Sequence, residues 1–242
     1  GAYAHTSATS ASYNTAIGYS AMWPNTSGQY NTAVGSNSMG AASTGSNNTA
    51  VGRHSMVANT TGSNNTSMGI NNLGSNTTGS QNVSIGQETL YSATTADKNT
   101  AVGAQAMFYT TTGTYNTAIG YDSMQDNTTG GNNVAVGKNA LRASTSSENT
   151  AVGSEAGAQL STGGDNTIVG YAAGYTTTTA GANTFIGKSA GYSCNGSDNT
   201  YIGQRTAENA TTGTGNIAIG KEAAPSSNTA SNECTLGSSN IS

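Results

Sequence analysis

The sequence predicts an all-β fold: a parallel β-solenoid, or β-roll, of about fourteen 16–17-residue coils. Three observations predict it. A pentapeptide recurs along the whole chain at a fixed period. That period is too short for helix-pair repeats, which need 33 residues or more. The composition also cannot build an ordinary packed core: of 242 residues, 33 are Gly, 33% are hydrophobic and only 7% are charged. An average globular chain carries about 25% charged residues. Disorder is the usual reading of so few large apolar residues, but it goes with high net charge. Here the net charge is −4, and the apolar residues recur in phase.

The pentapeptide is Asn-Thr-Ala-(Val/Ile)-Gly, strict or degenerate. It starts at Asn14, Asn31, Asn48, Asn65, Asn82, Asn99, Asn116, Asn133, Asn149, Asn166, Asn183, Asn199 and Asn216, and a divergent copy starts at Glu233. The spacing is 17, with 16 at Asn133–Asn149 and Asn183–Asn199. Coverage this complete predicts one repeat domain over 1–242, with 225–242 as an atypical terminal coil. The pentapeptide, β-branched and closed by Gly, reads as a strand. The recurrent Thr-Thr-Gly, as at Thr60-Thr61-Gly62 and Thr128-Thr129-Gly130, reads as a turn. Two short strands and two turns fit one coil. Stacking at about 4.8 Å makes fourteen coils a rod of roughly 65 Å.

Stacking aligns equivalent residues into columns. The Asn column reads either as a hydrogen-bonded ladder or as residues that merely tolerate a turn. Strand alternation sends Thr and Val/Ile to one face and Ala to the other. Ala suits the inside of a thin coil, so the Val/Ile column (Ile17, Val34, Val51, Ile85, Val102, Ile119, Val136, Val152) points away from it. The opposite phase, Val inside, suits a monomer. The Met/Leu column (Met22, Met39, Met56, Leu73, Leu90, Met107, Met124, Leu141) alternates with Ser/Ala in the same way. Two apolar columns on outer faces exceed what soluble monomers expose, and predict a homo-oligomer with both columns at chain-to-chain contacts. From Gly157 the Met/Leu column gives way to Gly157, Gly174, Gly191, Ala207 and Ala224. Leu160, Tyr175 and Tyr192 follow nearby, so the lateral packing changes there.

The repeat resembles the heads of trimeric autotransporter adhesins, whose β-roll repeats carry a Ser/Asn-x-Ala-Ile-Gly core. Its longer unit, with Met/Leu four residues on and Thr-Thr-Gly before the next copy, is more similar to the repeats of bacteriophage tail fibres. The 17-residue period is longer than that of the autotransporter heads and favours the phage comparison. The resemblance implies three chains around one axis, a left-handed roll, and a structural or adhesive role at a virion surface or outside the cell, against a host-surface glycan or protein. Glu233-Cys234-Thr235-Leu236-Gly237-Ser238-Ser239-Asn240-Ile241-Ser242 resembles the segment leading into the self-cleaving intramolecular chaperone of such fibres, which implies a downstream chaperone domain that was removed or never included. Gly1 lies mid-repeat, as expected of a fragment or processed product.

The chemistry-bearing residues are sparse. Seven Lys and Arg with a pI near 4.9 lack the basic footprint of a nucleic-acid binder. No apolar run approaches the ~20 residues of a membrane helix. His5 and His54 are almost three coils apart and read as surface residues, although His54 could meet its copies on a trimer axis. Asp97, Asp122, Asp126, Glu148, Asp165 and Asp198 fall in turns without a repeated ligand pattern, and Gly163-Gly164-Asp165 is only part of a Ca²⁺-binding nonapeptide. Departures from the repeat (Trp23-Pro24, Arg53-His54, Lys98, Arg142, Cys194, Arg205) are scattered along the rod. No catalytic, cofactor or metal site is expected, and neither is turnover. Cys194 and Cys234, about 2.4 coils apart, are too distant for an intrachain bridge. Tyr13, Tyr19, Tyr30, Tyr115, Tyr121 and Tyr171 sit at turns and read either as edge packing between coils or as platforms for sugar rings. The alternative function is an ice-binding solenoid using a Thr-x-Val face.

Overall fold

The computed structural model describes residues 2–4, 10–41 and 44–237. His5 and the last five residues of the chaperone-like segment lie outside these. The fold is an all-β parallel solenoid, without a helix among the described residues. The chain forms two compact units, residues 1–122 and 123–242.

In the first unit the strands are β1 (Thr15–Ile17), β2 (Thr32–Val34), β3 (Thr49–Val51), β4 (Thr66–Met68), β5 (Val83–Ile85), β6 (Thr100–Val102) and β7 (Thr117–Ile119). Each pairs in parallel with the next. Register is set by the repeat: Thr15, Ala16 and Ile17 face Thr32, Ala33 and Val34. The second unit continues the pattern with β8 (Val134–Val136), β9 (Thr150–Val152), β10 (Thr167–Val169), β11 (Thr184–Ile186), β12 (Thr200–Ile202), β13 (Ile217–Ile219) and β14 (Cys234–Leu236). The two 16-residue coils keep the register, with Val134 facing Thr150 and Thr184 facing Thr200. The lost residue therefore comes out of the turn, where Leu141 and Asn149, or Gly191 and Asn199, lie one position closer than in other coils.

The strand phase is the expected one. Ala33, Ala50, Ala101, Ala118, Ala135 and Ala151 are fully buried, while the flanking Thr and Val/Ile are half-buried or exposed. Only small side chains fit this inner strand position where a Met or Leu fills the coil from the opposite wall.

Two expectations need correction. Each coil holds one strand, not two. The Ser/Ala-Met/Leu arm alternates in handedness: Asn37 and Met39 have φ of 53° and 52°, His54 and Met56 of 55° and 52°. A strand needs negative φ throughout. The arm is still laddered between coils, with Met39 N–H donating to Ser55 O (2.9 Å) and Asn37 N–H to Tyr19 O (2.9 Å). Because the backbone changes hand at every second residue, successive side chains do not alternate faces. Ser38 and Met39 are both fully buried, as are Ser55 and Met56. The Met/Leu column therefore packs inside its own chain and not at chain-to-chain contacts. A left-handed residue costs about 1–2 kcal/mol. Each arm carries two such residues, and full burial of its Met or Leu side chain contributes about 1.5–3 kcal/mol towards offsetting them.

The Asn column is a ladder, built between side chain and backbone. Each Oδ1 accepts from the backbone N–H of the next Asn: Asn14 from Asn31 (2.8 Å), Asn48 from Asn65 (2.9 Å). Most Nδ2 groups donate to a turn carbonyl, as Asn48 does to Gly62 O (2.9 Å), while Asn183 donates to Asn166 Oδ1 (3.3 Å). The second unit repeats this from Asn133 to Asn216, where the last acceptor serves Glu233 N–H (3.0 Å). The pentapeptide Gly closes the strand where coils approach closely: at Gly35 φ is 133°, and a Cβ would lie 2.5 Å from Gly52 O.

The change at Gly157 is a transfer of volume across the coil. Gly157, Gly174 and Gly191 vacate the Met/Leu column, and Ile168, Phe185 and Tyr201 replace Ala in the strand centre, fully buried. A Cβ on Gly174 would come within 3.1 Å of the Phe185 ring, and one on Gly191 within 2.7 Å. Phe185 stacks on Tyr201 at 5.4 Å. Leu160 joins this core, whereas Tyr175 and Tyr192 stack on each other (5.3 Å) as half-buried residues.

Candidate interaction surface

With Ala inside, the first and third residues of every strand form the outer face. The parallel register places like on like, so Thr or Val forms one column and Val, Ile or Met the next, at the ~4.8 Å strand spacing. In the first unit Ile17 is 57% exposed and Ile119 41%; in the second, Val152, Ile186 and Ile219 are exposed to a similar degree. Single exposed apolar residues are ordinary, whereas an aligned column makes a contiguous apolar surface.

The tyrosines form ladders between coils. Tyr13 stacks on Tyr30 with ring centroids 4.9 Å apart and planes 3° apart. Tyr91 stacks on Phe108 (5.2 Å), which meets Tyr109 edge-on. Lys98 Nζ donates to Tyr115 Oη (2.6 Å) and lies over its ring; Lys188 lies over Tyr171. This is the coil-to-coil packing expected of them, and it leaves Tyr13, Tyr30, Tyr115 and Tyr171 largely exposed.

The remaining candidates are scattered in part. His54 is half-buried beside Asn37, whose Nδ2 lies 3.2 Å from Nε2. No group of three His, Cys, Asp or Glu able to hold a metal occurs among the described residues. The structure does gather one set that sequence spacing obscured. Arg205 pairs with Glu208 (2.7 Å) and Glu222 (3.8 Å), with Lys221 also near Glu222. These groups are half exposed, where an ion pair contributes about 1 kcal/mol or less. One coil separates Arg205 from Glu222, a neighbourhood visible only once the 17-residue register is applied.

Cys194 and Cys234 are both free, the first buried and the second exposed. Burial pushes the Cys194 thiol above its ordinary value, and burial does the same to the Tyr201 phenol. Both groups stay neutral at physiological pH, the opposite of what an activated nucleophile needs. At the last coil Glu233 is held below the usual carboxylate range by bonds from the Ser226 hydroxyl and backbone N–H. No family model matches the chain, and neither a curated protein nor a solved structure matches it significantly.

Proposed function

We propose that the chain is a structural and adhesive segment of an extracellular or virion-borne fibre, in which further copies of the chain cover the Thr-x-Val/Ile face. One observation carries this reading: the Val/Ile column is aligned and half-buried or exposed in each unit of the single chain, and burying it against its own copies removes apolar surface from water at about 25 cal/mol per Å². The repeat's resemblance to phage-fibre and adhesin rolls supplies the number three and the location. The low charge and the neutral buried thiol and phenol agree with a role in spacing or attachment and not in turnover. Only the Val/Ile column is left for contacts between chains, since the Met/Leu column is buried within its own chain. Sedimentation of the native chain tests it: a stable particle of three times 24.0 kDa is expected, and a stable single chain overturns it.

The same exposed array supports a second reading, an ice-binding solenoid whose Thr and Val columns order water. It requires the face to stay uncovered in solution. Thermal hysteresis from a monomer favours it; its absence, together with a trimer, removes it.

A further inference from the structure

We propose that Asn195 is a self-modification site, at which the side-chain amide becomes a carboxylate through a cyclic imide formed with the backbone nitrogen of Gly196. The site uses one turn of one chain and stands independently of the fibre reading.

The sequence singles out the pair. Asn195-Gly196 is the sole Asn-Gly step in the chain, and every other Asn is followed by a residue that carries a side chain. The shortened turn creates it. In the preceding coil Thr179 and Ala180 lie between Thr178 and Gly181. The next coil holds Asn195 level with Thr178 and Ser197 level with Gly181, through bonds across the ladder, and only Gly196 lies between them. Gly196 is buried. A Cβ there would lie 1.8 Å from Gly213 O, so the residue after Asn195 has to be Gly.

Three features of the fold favour the chemistry. Asn195 is exposed, so water reaches its amide. Its Oδ1 accepts from both the Thr178 N–H (2.7 Å) and the Thr178 hydroxyl (2.9 Å). Two such donors make Cγ more electrophilic and hold the negative oxygen that forms when a nucleophile adds there. The Gly196 N–H, the attacking group, donates to no acceptor among the described residues. The ladder asparagines differ on each count. Asn48 is fully buried, its Nδ2 is held by Gly62 O (2.9 Å), and the next N–H, of Thr49, is held by Asn65 O (2.9 Å).

The reaction needs only water. The Gly196 nitrogen bonds to Asn195 Cγ and gives up its proton, the Cγ–Nδ2 bond breaks, and the amide leaves as ammonia. Water then opens the imide at either carbonyl. One product is an aspartate at position 195 with the main chain unchanged. It adds a negative charge and still accepts from Thr178. The other is an isoaspartyl link through Cγ, which lengthens the main chain by a methylene. It disturbs a turn that is already one residue short, where the Cys194 thiol donates to Gly196 O (3.5 Å).

Peptide mapping by mass spectrometry, after incubation of the native chain in mildly alkaline buffer made with heavy-oxygen water, tests the site. Conversion at Asn195 with uptake of the heavy oxygen is expected, while the ladder asparagines stay intact. Thr178→Val removes one donor to the developing oxyanion, and the folded variant should convert about tenfold more slowly. Thr178→Ser keeps a hydroxyl and should convert at close to the native rate. In denaturant all three chains should convert alike, because the donors are no longer in place. Circular dichroism confirms that each is folded beforehand. An Asn195 that stays an amide in the folded chain over the time in which the denatured chain converts overturns the proposal, as does a folded Thr178→Val that converts at the native rate.

Discussion

Asn99 accounts for three buried hydrogen bonds through one side chain. Its Oδ1 accepts from Asn116 N–H (2.9 Å), and its Nδ2 donates to Gly113 O (2.8 Å) and Asn82 Oδ1 (3.2 Å). Asn99→Ala would strand the first two partners in a dry coil, at about 1–3 kcal/mol for each. A loss of that size should appear as a lower denaturation midpoint with an unchanged slope. Cys194 gives a second test at this scale. Its folded pKa lies above the unfolded value because burial disfavours the thiolate. The native state therefore holds a proton that the unfolded chain releases first as pH rises. The contribution is fully present below the ordinary thiol value of about 8.5 and is lost as pH climbs through the folded value. Cys194→Ala should flatten the alkaline fall in stability measured from pH 8 upward. A thiol reagent should modify exposed Cys234 quickly in the native protein, and Cys194 only after unfolding.

The repeat period and the inward Ala column were legible in the sequence because a strand's two-residue alternation leaves a direct trace there. The second arm was not. Its alternating handedness puts Met, Leu, His and Glu at positive φ, and nothing in those residue types announces a left-handed backbone. A two-residue alternation read across that arm sent Met39 to the wrong side. The volume transfer after Gly157 was half visible: the loss of Met/Leu stood out, but Ile168, Phe185 and Tyr201 passed as variants of the pentapeptide. That transfer makes a coupled test. Phe185→Ala should cost about 3–5 kcal/mol. Gly191→Leu alone should also destabilise, because its Cβ would strike the Phe185 ring. The double variant should recover at least about 1 kcal/mol over the sum, since Leu141 already sits at the equivalent position with a φ of 48°. Strict additivity in denaturant melts would show that the two walls do not share one space.

For the whole molecule, what matters is what covers the outer face. Val102 and Met107 lie five residues apart in one coil, yet they have opposite consequences. Met107 is fully buried, so Met107→Asp should unfold its coil and lower stability by several kcal/mol. Val102 lies on the outer face, half-buried in the single chain. Val102→Asp should leave the chain folded and disrupt only its association, because an uncovered carboxylate there remains in water. Trp23-Pro24 was legible as an oddity in a repeat of small residues, whereas Tyr3, from the neighbouring coil, meets Tyr19 only in three dimensions. The comparison that decides whether the outer face is an interface is sedimentation of the native chain beside Val102→Asp at equal concentration. The native chain should run at three times 24.0 kDa and the variant as a folded single chain; a native chain that stays a single folded particle at every concentration would contradict the fibre reading.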